Sequence, residues 1–416
     1  MTFLHLSDLH FGKNLHGLNL AASGDQAQMV EDILHSCDEI KPDAVLLCGD
    51  IYDRSQPSQE ARSLCSRFLT ALCARHIPIL MIAGNHDAPE NIEYLQELLA
   101  HQGLFVSGVL HPTLRKVTLE DAFGPVDFYL LPYFFPARVG QVLGEDTPAS
   151  YTEAARRMLA CQNVDFSRRC VLLAHQFVCK GASQPQMDGS ESTVGGVGQL
   201  DVSALDGFDY VALGHIHKPQ IMGRDTVRYA GSPLCYHFGE AGAEGHGNET
   251  RQLLYVTLKE KGAPVQFRRV PLQPAHPLVN RTGTLDAVVR DELASPTPGA
   301  YVHVRLTDPL IPPDAQSRLD AVFASHGSRL LLLDRQLSRH VAPTDTEKPR
   351  PIQTLPEMFL SYYTSQYPNL PIAPEEQKLV FMAARILEEE GMDEDTLDQS
   401  AAHLLNIFLT EEDMPS

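Results

Sequence analysis

The chain has 416 residues, with 53 acidic against 33 basic side chains and a formal net charge of −20. An apolar content of 43% supplies a sizeable core and excludes wholesale disorder, and the length suits two or three domains. The acidity argues against nucleic-acid binding through bulk charge, and no apolar run approaches the roughly 20 residues of a membrane span.

In chain order, residues 2–7, 43–48 and 77–83 are expected as short buried strands, each running into a polar cluster. Thr2-Phe3-Leu4-His5-Leu6 enters the first strand directly, without a basic or long apolar leader, so a cytoplasmic protein is expected. Ala61, Leu64, Cys65, Phe68, Leu69, Leu72 and Cys73 recur at helical spacing, and a second helix is expected over about 91–102. Strand and helix alternate, which indicates α/β layering. Further strands are expected at 127–131, 170–174, 209–213, 227–230 and 252–258. Residues 181–198 and 239–250 are rich in Gly and polar residues, suiting either substrate-facing loops or plain surface insertions. Pro271, Pro274 and Pro277 mark a linker, followed by a small α+β unit with helices near 284–293 and 313–325 and strands at 300–306 and 329–334. After a second proline-rich linker comes a helical tail carrying Phe359, Tyr362 and Tyr363 on one stripe. Residues 351–416 hold 13 acidic and two basic side chains, so much of the acidity belongs to the tail. The eight cysteines are scattered and form no C-x-x-C pair, as in a reducing compartment.

Five short signatures follow apolar strand-like runs: Asp8-Leu9-His10, Gly49-Asp50, Gly84-Asn85-His86-Asp87, His175, and Gly214-His215-Ile216-His217. Strand ends are where α/β folds assemble their sites. Residues i and i+2 of an extended segment project to one side, so Asp8 with His10, and His215 with His217, can each offer two ligands. Asp8, His10, Asp50, Asn85, His175, His215 and His217 make a mixed oxygen and nitrogen set without thiolate, suited to Mn²⁺, Fe²⁺ or Zn²⁺. Seven groups are too many for one ion, whereas two ions sharing Asp50 use them well. Only two carboxylates leave residual positive charge at the centre, which favours a phosphate anion. Any one cluster taken alone is most simply a hydrogen-bonded turn.

The order of these signatures resembles the calcineurin-like metallophosphoesterase superfamily over about residues 2–235. Asp8-Leu9-His10-Phe11-Gly12-Lys13, Gly49-Asp50-Ile51-Tyr52-Asp53, Gly214-His215-Ile216-His217-Lys218-Pro219-Gln220, Ala230-Gly231-Ser232-Pro233-Leu234 and Gly239-Glu240-Ala241-Gly242 are similar, more narrowly, to the SbcD family, the nuclease subunits of bacterial SbcCD DNA-repair complexes. The resemblance implies a four-layer α-β-β-α nuclease core over 1–270, a small α+β capping, DNA-binding domain over 275–340, and a helical segment over 350–416. It implies one metal held by Asp8, His10, Asp50 and His217, the other by Asp50, Asn85, His175 and His215, and His86 as the catalytic histidine. Two Mn²⁺ ions are the expected cofactors. A metal-bridging hydroxide would attack the phosphodiester, giving 3′-to-5′ exonuclease activity on duplex ends and endonuclease activity on single strands and hairpins. The implied partners are DNA, a second copy joined through the nuclease domain, and an SbcC-like ATPase whose coiled coil binds the tail, two copies of each subunit, with no membrane. Some relatives carry a histidine where this chain has Asp53, which leaves Asp53 without a role; Asp87 is expected to orient a neighbour rather than bind metal. An enzyme of small phosphodiesters or monoesters is the alternative, and an inactive scaffold a third.

Overall fold

The structure is a computed structural model and describes residues 1–181, 183–187, 198–241 and 251–335, together with Leu360 and Gln377. Residues 1–338 form one compact unit. The expected tail helices and most of the two polar loops, 188–197 and 242–250, lie outside the described residues.

Two six-stranded sheets carry the core. In the first, Thr2–Leu6, Ala44–Cys48, Ile79–Ile82 and Leu104–Ser107 run parallel, and Gln252–Thr257 and Gln266–Pro271 add antiparallel at the edge. In the second, Val227–Tyr229, Tyr210–Gly214, Arg169–His175 and Gly124–Leu131 run parallel, flanked by antiparallel Gln220–Ile221 and Arg115–Asp121. The central parallel strands read as unbroken apolar runs because both of their faces are covered. Their period-2 alternation divides the core. Phe3, Leu46, Leu80, Phe128, Leu130, Val171, Leu173, Tyr210 and Ala212 fill the space between the sheets. Leu4, Val45, Leu47, Ile79 and Met81 point outward against the helices Asp25–Ile40 and Gln59–Ala74. Tyr129, Leu131, Leu172, Val211 and Leu213 do the same toward Pro136–Leu143 and Tyr151–Ala160. The order of layers is therefore helix, sheet, sheet, helix, as expected.

Several expectations need correction. The helix expected over about 91–102 is two short ones, Pro89–Glu93 and Gln96–Ala100, broken at Leu95 in the left-handed region (φ 60°). The Glu93 carboxylate is committed elsewhere, accepting from the backbone N–H groups of Gly108 (3.2 Å) and Val109 (2.5 Å) in the turn after Leu104–Ser107. The small unit is α/β rather than α+β. Leu278–Gly283, Tyr301–Leu306 and Arg329–Arg335 form one wholly parallel sheet, alternating with the helices Leu285–Ala294 and Ala315–Ala324. Its first strand was concealed because Pro271, Pro274 and Pro277 made the region read as linker; Pro271 in fact ends a strand and Pro277 precedes one. This unit has its own core around Val302, Leu306, Leu319 and Phe323. It meets the rest of the chain through buried Asp25, which accepts from His276 Nδ1 (2.7 Å) and the Tyr301 hydroxyl (2.8 Å).

The topology delivers the clusters to one edge. Asp8 and His10 follow Thr2–Leu6, Asp50 follows Ala44–Cys48, and Asn85 and His86 follow Ile79–Ile82. His175 closes its strand, and His215 and His217 follow Tyr210–Gly214. Phe128 lies fully buried between the sheets with its ring edge-on to Phe3 (5.7 Å). Phe128→Ala is expected to lower stability by about 3–5 kcal/mol, measured as a fall in the urea midpoint at unchanged m-value.

Candidate metal centre

Three of the segments bearing candidate residues turn sharply. Asp8 (φ 55°), His10 (φ 43°), Asp50 (φ 50°) and His215 (φ 100°) all have positive φ without being glycine. Such conformations cost of order 1–3 kcal/mol each and persist only where the surroundings enforce them. Here the enforcement is mutual. Asp8 N–H donates to the Gly49 carbonyl (3.1 Å) and His10 N–H to the Asp50 carbonyl (3.0 Å). His215 N–H donates to Asp8 Oδ1 (3.0 Å), and His86 N–H to Asp50 Oδ1 (2.9 Å). Gly84 and Gly214 sit where the loops cross most closely: a Cβ at Gly84 would lie 2.2 Å from Asp50 Oδ1, and one at Gly214 1.9 Å from the Cys48 carbonyl oxygen.

The side chains converge. Asp8, His10 and His217 form one group, Asp8, Asp50 and His175 another, and His10, Asp50 and His86 a third, with the ligand atoms of each group within 4.8 Å of one another. Asp8, His10 and Asp50 each belong to two of them, so the groups form one continuous cluster. Asn85 Oδ1 completes the set, 3.1 Å from His175 Nε2 and 2.9 Å from His215 Nδ1. All seven groups expected from the sequence therefore meet in one place, with His86 beside them, its ring edge-on to that of His10 (4.8 Å).

The chemistry of these atoms suits cations. His175 donates its Nδ1 proton to the Cys48 carbonyl (2.7 Å), which turns Nε2 toward Asn85 Oδ1 and Asp50 Oδ2 (3.3 Å). Two oxygen acceptors converge on Nε2, an arrangement that calls for positive charge there, from a proton on the ring or from a cation in its place. Burial by itself lowers the His175 pKa, yet Asp50 and Asp8 outweigh it and hold it up at about 9. Burial pushes His215 down to about 3 and His10 well below its ordinary value, so both offer neutral nitrogens. His10 Nε2 lies 3.1 Å from His217 Nε2, while the buried His10 Nδ1 has no hydrogen-bond partner.

Supporting residues hold these ligands in place, and sequence reasoning missed most of them. Glu240, essentially buried, presents Oε1 to His217 Nδ1 (3.5 Å) and accepts from the Tyr236 N–H (3.0 Å) and from the buried Arg251 guanidinium. Arg251 also donates to the His217 carbonyl (2.5 Å), so His217 is held at ring and backbone. Glu240 ends a short 3-10 turn, Phe238–Glu240, where the composition suggested the start of an open loop. The only sequence signal was its place in the Gly239-Glu240-Ala241-Gly242 signature. Asp87 orients its neighbours, as expected, accepting from the N–H groups of Gly84, Ile51 and Tyr52. Asp53 has two roles. Its carbonyl accepts the His86 Nδ1 proton (2.9 Å), and its carboxylate pairs with Lys13 (2.8 Å) while lying 3.7 Å from His10 Nδ1. His5 is a satisfied core histidine bonded to Tyr210 and the Leu213 carbonyl. His16, which is exposed, and His237 line a crevice of about 500 Å³ with Asn280, Arg281, His303 and Arg305.

The calcineurin-like phosphoesterase family matches residues 1–219, more than half of the chain and the stretch that holds every candidate ligand. The chain belongs to that family. It is a metal-dependent phosphoesterase, and its buried His and Asp clusters are those of a dimetal site. Among solved structures, a novel archaeal phosphodiesterase is similar at 10% identity and a TM-score of 0.30, over 65% of this chain and all of that one. TT1561 of Thermus thermophilus is similar at 15% identity and a TM-score of 0.36, over 64% of this chain and 98% of that one. Among the described residues no helix is long and apolar enough to cross a membrane.

A carboxylate behind a ligating histidine orients it and raises its basicity, and losing such a partner typically reduces metal affinity about 10- to 100-fold. Glu240→Gln is expected to weaken Mn²⁺ binding by that factor in calorimetric titration. Unchanged affinity would show that Glu240 serves folding alone.

Proposed function

We propose that this phosphoesterase is a two-metal DNA nuclease, the catalytic subunit of an SbcCD-like complex in repair, replication and recombination. The observation that carries the reading is a crevice lined by the residues that lead into Glu240, the partner of His217. Its wall includes His237, Phe238 and Gly239, the residues immediately before Glu240, and its other side is the small parallel sheet with Arg281, His303 and Arg305. A substrate of one or two phosphates needs no second wall. A polynucleotide does, because the flanking phosphates must be held while one is cut. The sequence likeness to SbcD nucleases supports the same reading.

In this reading Asp8, His10, Asp50 and His217 hold one Mn²⁺ and Asp50, Asn85, His175 and His215 the other. The ions supply Lewis-acid neutralisation of the phosphodiester and a water acidic enough to attack it. The chain's own residues do the rest. Asn85 brings an oxygen without adding a third negative charge. His86 donates its Nδ1 proton to the Asp53 carbonyl, which leaves Nε2 as the nitrogen for the reaction; as the imidazolium, holding a second proton there, it gives that Nε2 proton to the leaving alkoxide and returns to the neutral ring. The parallel sheet of residues 278–335, within the proposed capping domain 275–340, contacts DNA backbone, and 350–416 binds the coiled coil of an SbcC-like ATPase. The helices Gln59–Ala74 and Pro89–Glu93 flank an apolar groove of about 570 Å³, with Tyr94, Leu95 and Leu98 exposed nearby, and this face joins two nuclease domains. Of the basic residues near the motifs, Arg224 is already bound to Asp206 (2.7 Å) and the Leu205 carbonyl, whereas Arg54 is 76% exposed and meets Asp53 at 3.9 Å, a contact a substrate phosphate can replace.

Purified protein is expected to cleave a 3′-labelled duplex with Mn²⁺ and to lose that activity in EDTA. His86→Ala is expected to lower kcat by about 10²- to 10⁴-fold with Mn²⁺ binding retained. Hydrolysis of a nitrophenyl phosphodiester without any cleavage of DNA would favour the small-substrate reading instead.

A further inference from the structure

One exposed feature beside the centre has no part in holding it. Pro132-Tyr133-Phe134-Phe135-Pro136 links the strand Gly124–Leu131 to the helix Pro136–Leu143. Phe134 is buried, with its ring near Tyr151 (6.1 Å). Successive side chains of an extended segment point to opposite sides, so Tyr133 and Phe135 share the other face, their rings edge to face at 5.0 Å. The Tyr133 ring lies stacked beside His215 (6.4 Å, 22° between planes) and edge-on to His175 (6.2 Å). Phe135 is 53% exposed.

The segment is tied down on both sides by residues adjoining the centre. Tyr133 N–H donates to the Ala83 carbonyl (3.0 Å), one residue before Gly84-Asn85-His86. The buried Gln176, next to His175, donates its amide to the Phe134 carbonyl (3.1 Å). Local preference does not explain Phe135. It occupies the cap position of the following helix without any side-chain cap bond, where Ser, Thr, Asp or Asn stabilises by about 1 kcal/mol. Folding is equally unserved, since more than half of this large apolar side chain remains in water. Departures of this kind, held rigidly at the edge of a site, mark functional positions.

We infer that Tyr133 and Phe135 form a stacking platform for one unpaired nucleobase next to the scissile phosphate. This rests on the nuclease reading and narrows its substrate: the phosphodiester lies among the histidines, and the base of the adjoining nucleotide leaves its stack and rests on Phe135. Every base has a π-face, so such a subsite is sequence-tolerant, and it prefers strands whose bases are free or readily unstacked. It accounts for cleavage of single strands and hairpins at a centre set into the edge of the sheets.

The test uses the full-length protein, a single-stranded oligonucleotide with 2-aminopurine beside the cut site, and a matched oligonucleotide that is abasic at that position. Base stacking is worth about 1–3 kcal/mol by alanine substitution. Phe135→Ala should therefore raise KM for the base-containing strand by roughly 5- to 150-fold with little change in kcat. The wild-type preference for the base-containing over the abasic strand should fall toward unity. Quenching of 2-aminopurine fluorescence on binding should be lost in Phe135→Ala, weakened in Phe135→Leu, and kept in Phe135→Trp. A base preference and a quench unchanged in Phe135→Ala would overturn the platform while leaving the nuclease intact. Wild-type protein that cuts neither strand would overturn the nuclease reading, and the platform with it.

Discussion

The structure depends on crowding electron-pair acceptors together in a buried place. Asp50 and Asn85 bring oxygen atoms to about 3 Å from the His175 ring, and the ligand atoms of Asp8, His10 and His217 lie within 4.8 Å of one another alongside. In a low-dielectric interior this is unfavourable until positive charge enters. Four strained backbone positions hold the groups in place, and the loops enforce one another through backbone hydrogen bonds to Asp8 and Asp50. A preformed cluster of this kind can take up divalent ions without first having to fold around them, and with only two carboxylates in it the loaded centre would keep positive charge that favours a phosphate.

The two-sheet architecture makes that crowding possible. Parallel strands from both sheets end on the same edge, so five separate loops reach one point without a long connection through the interior. The ligands divide between the sheets. Asp8, His10, Asp50 and Asn85 come from the first, and His175, His215 and His217 from the second. The hydrophobic layer around Phe3, Phe128 and Tyr210 that clamps the sheets together therefore also sets the distance between the two halves of the centre. Stability and catalysis share a structural element, and a change in the inter-sheet core will be felt at the metals.

Around this centre the molecule adds parts of different character. Glu240 and Arg251 form a buried pair that grips His217; Asp87 and Asp53 knit the loops of the first sheet; the small parallel unit supplies a polar wall. Tyr133 and Phe135 add an aromatic edge beside the second-sheet histidines. The centre has the make-up of a metal-dependent phosphoesterase, and these surrounding parts are what distinguish its setting.

The ligands were legible because metal chemistry restricts residue type and because glycines and strand ends leave local marks: Gly49-Asp50, Gly84-Asn85-His86-Asp87 and Gly214-His215-Ile216-His217 each follow an apolar run. The layered fold was legible for a similar reason, since strands buried on both faces are continuously apolar. Glu240, Arg251 and Tyr133 were not legible in that way. A buried carboxylate, a buried guanidinium and a half-exposed ring look in sequence like solvated charges and ordinary packing, and their partners lie far along the chain. The strand Leu278–Gly283 was hidden by its flanking prolines, and the break at Leu95 by an apolar stripe that continues across it. The sequence by itself determined which atoms can bind metal and that they sit at strand ends, because those are local properties. Only the tertiary structure decided which of those groups lie together, which residues steady them and what surface flanks them, because those depend on distances between segments set by packing.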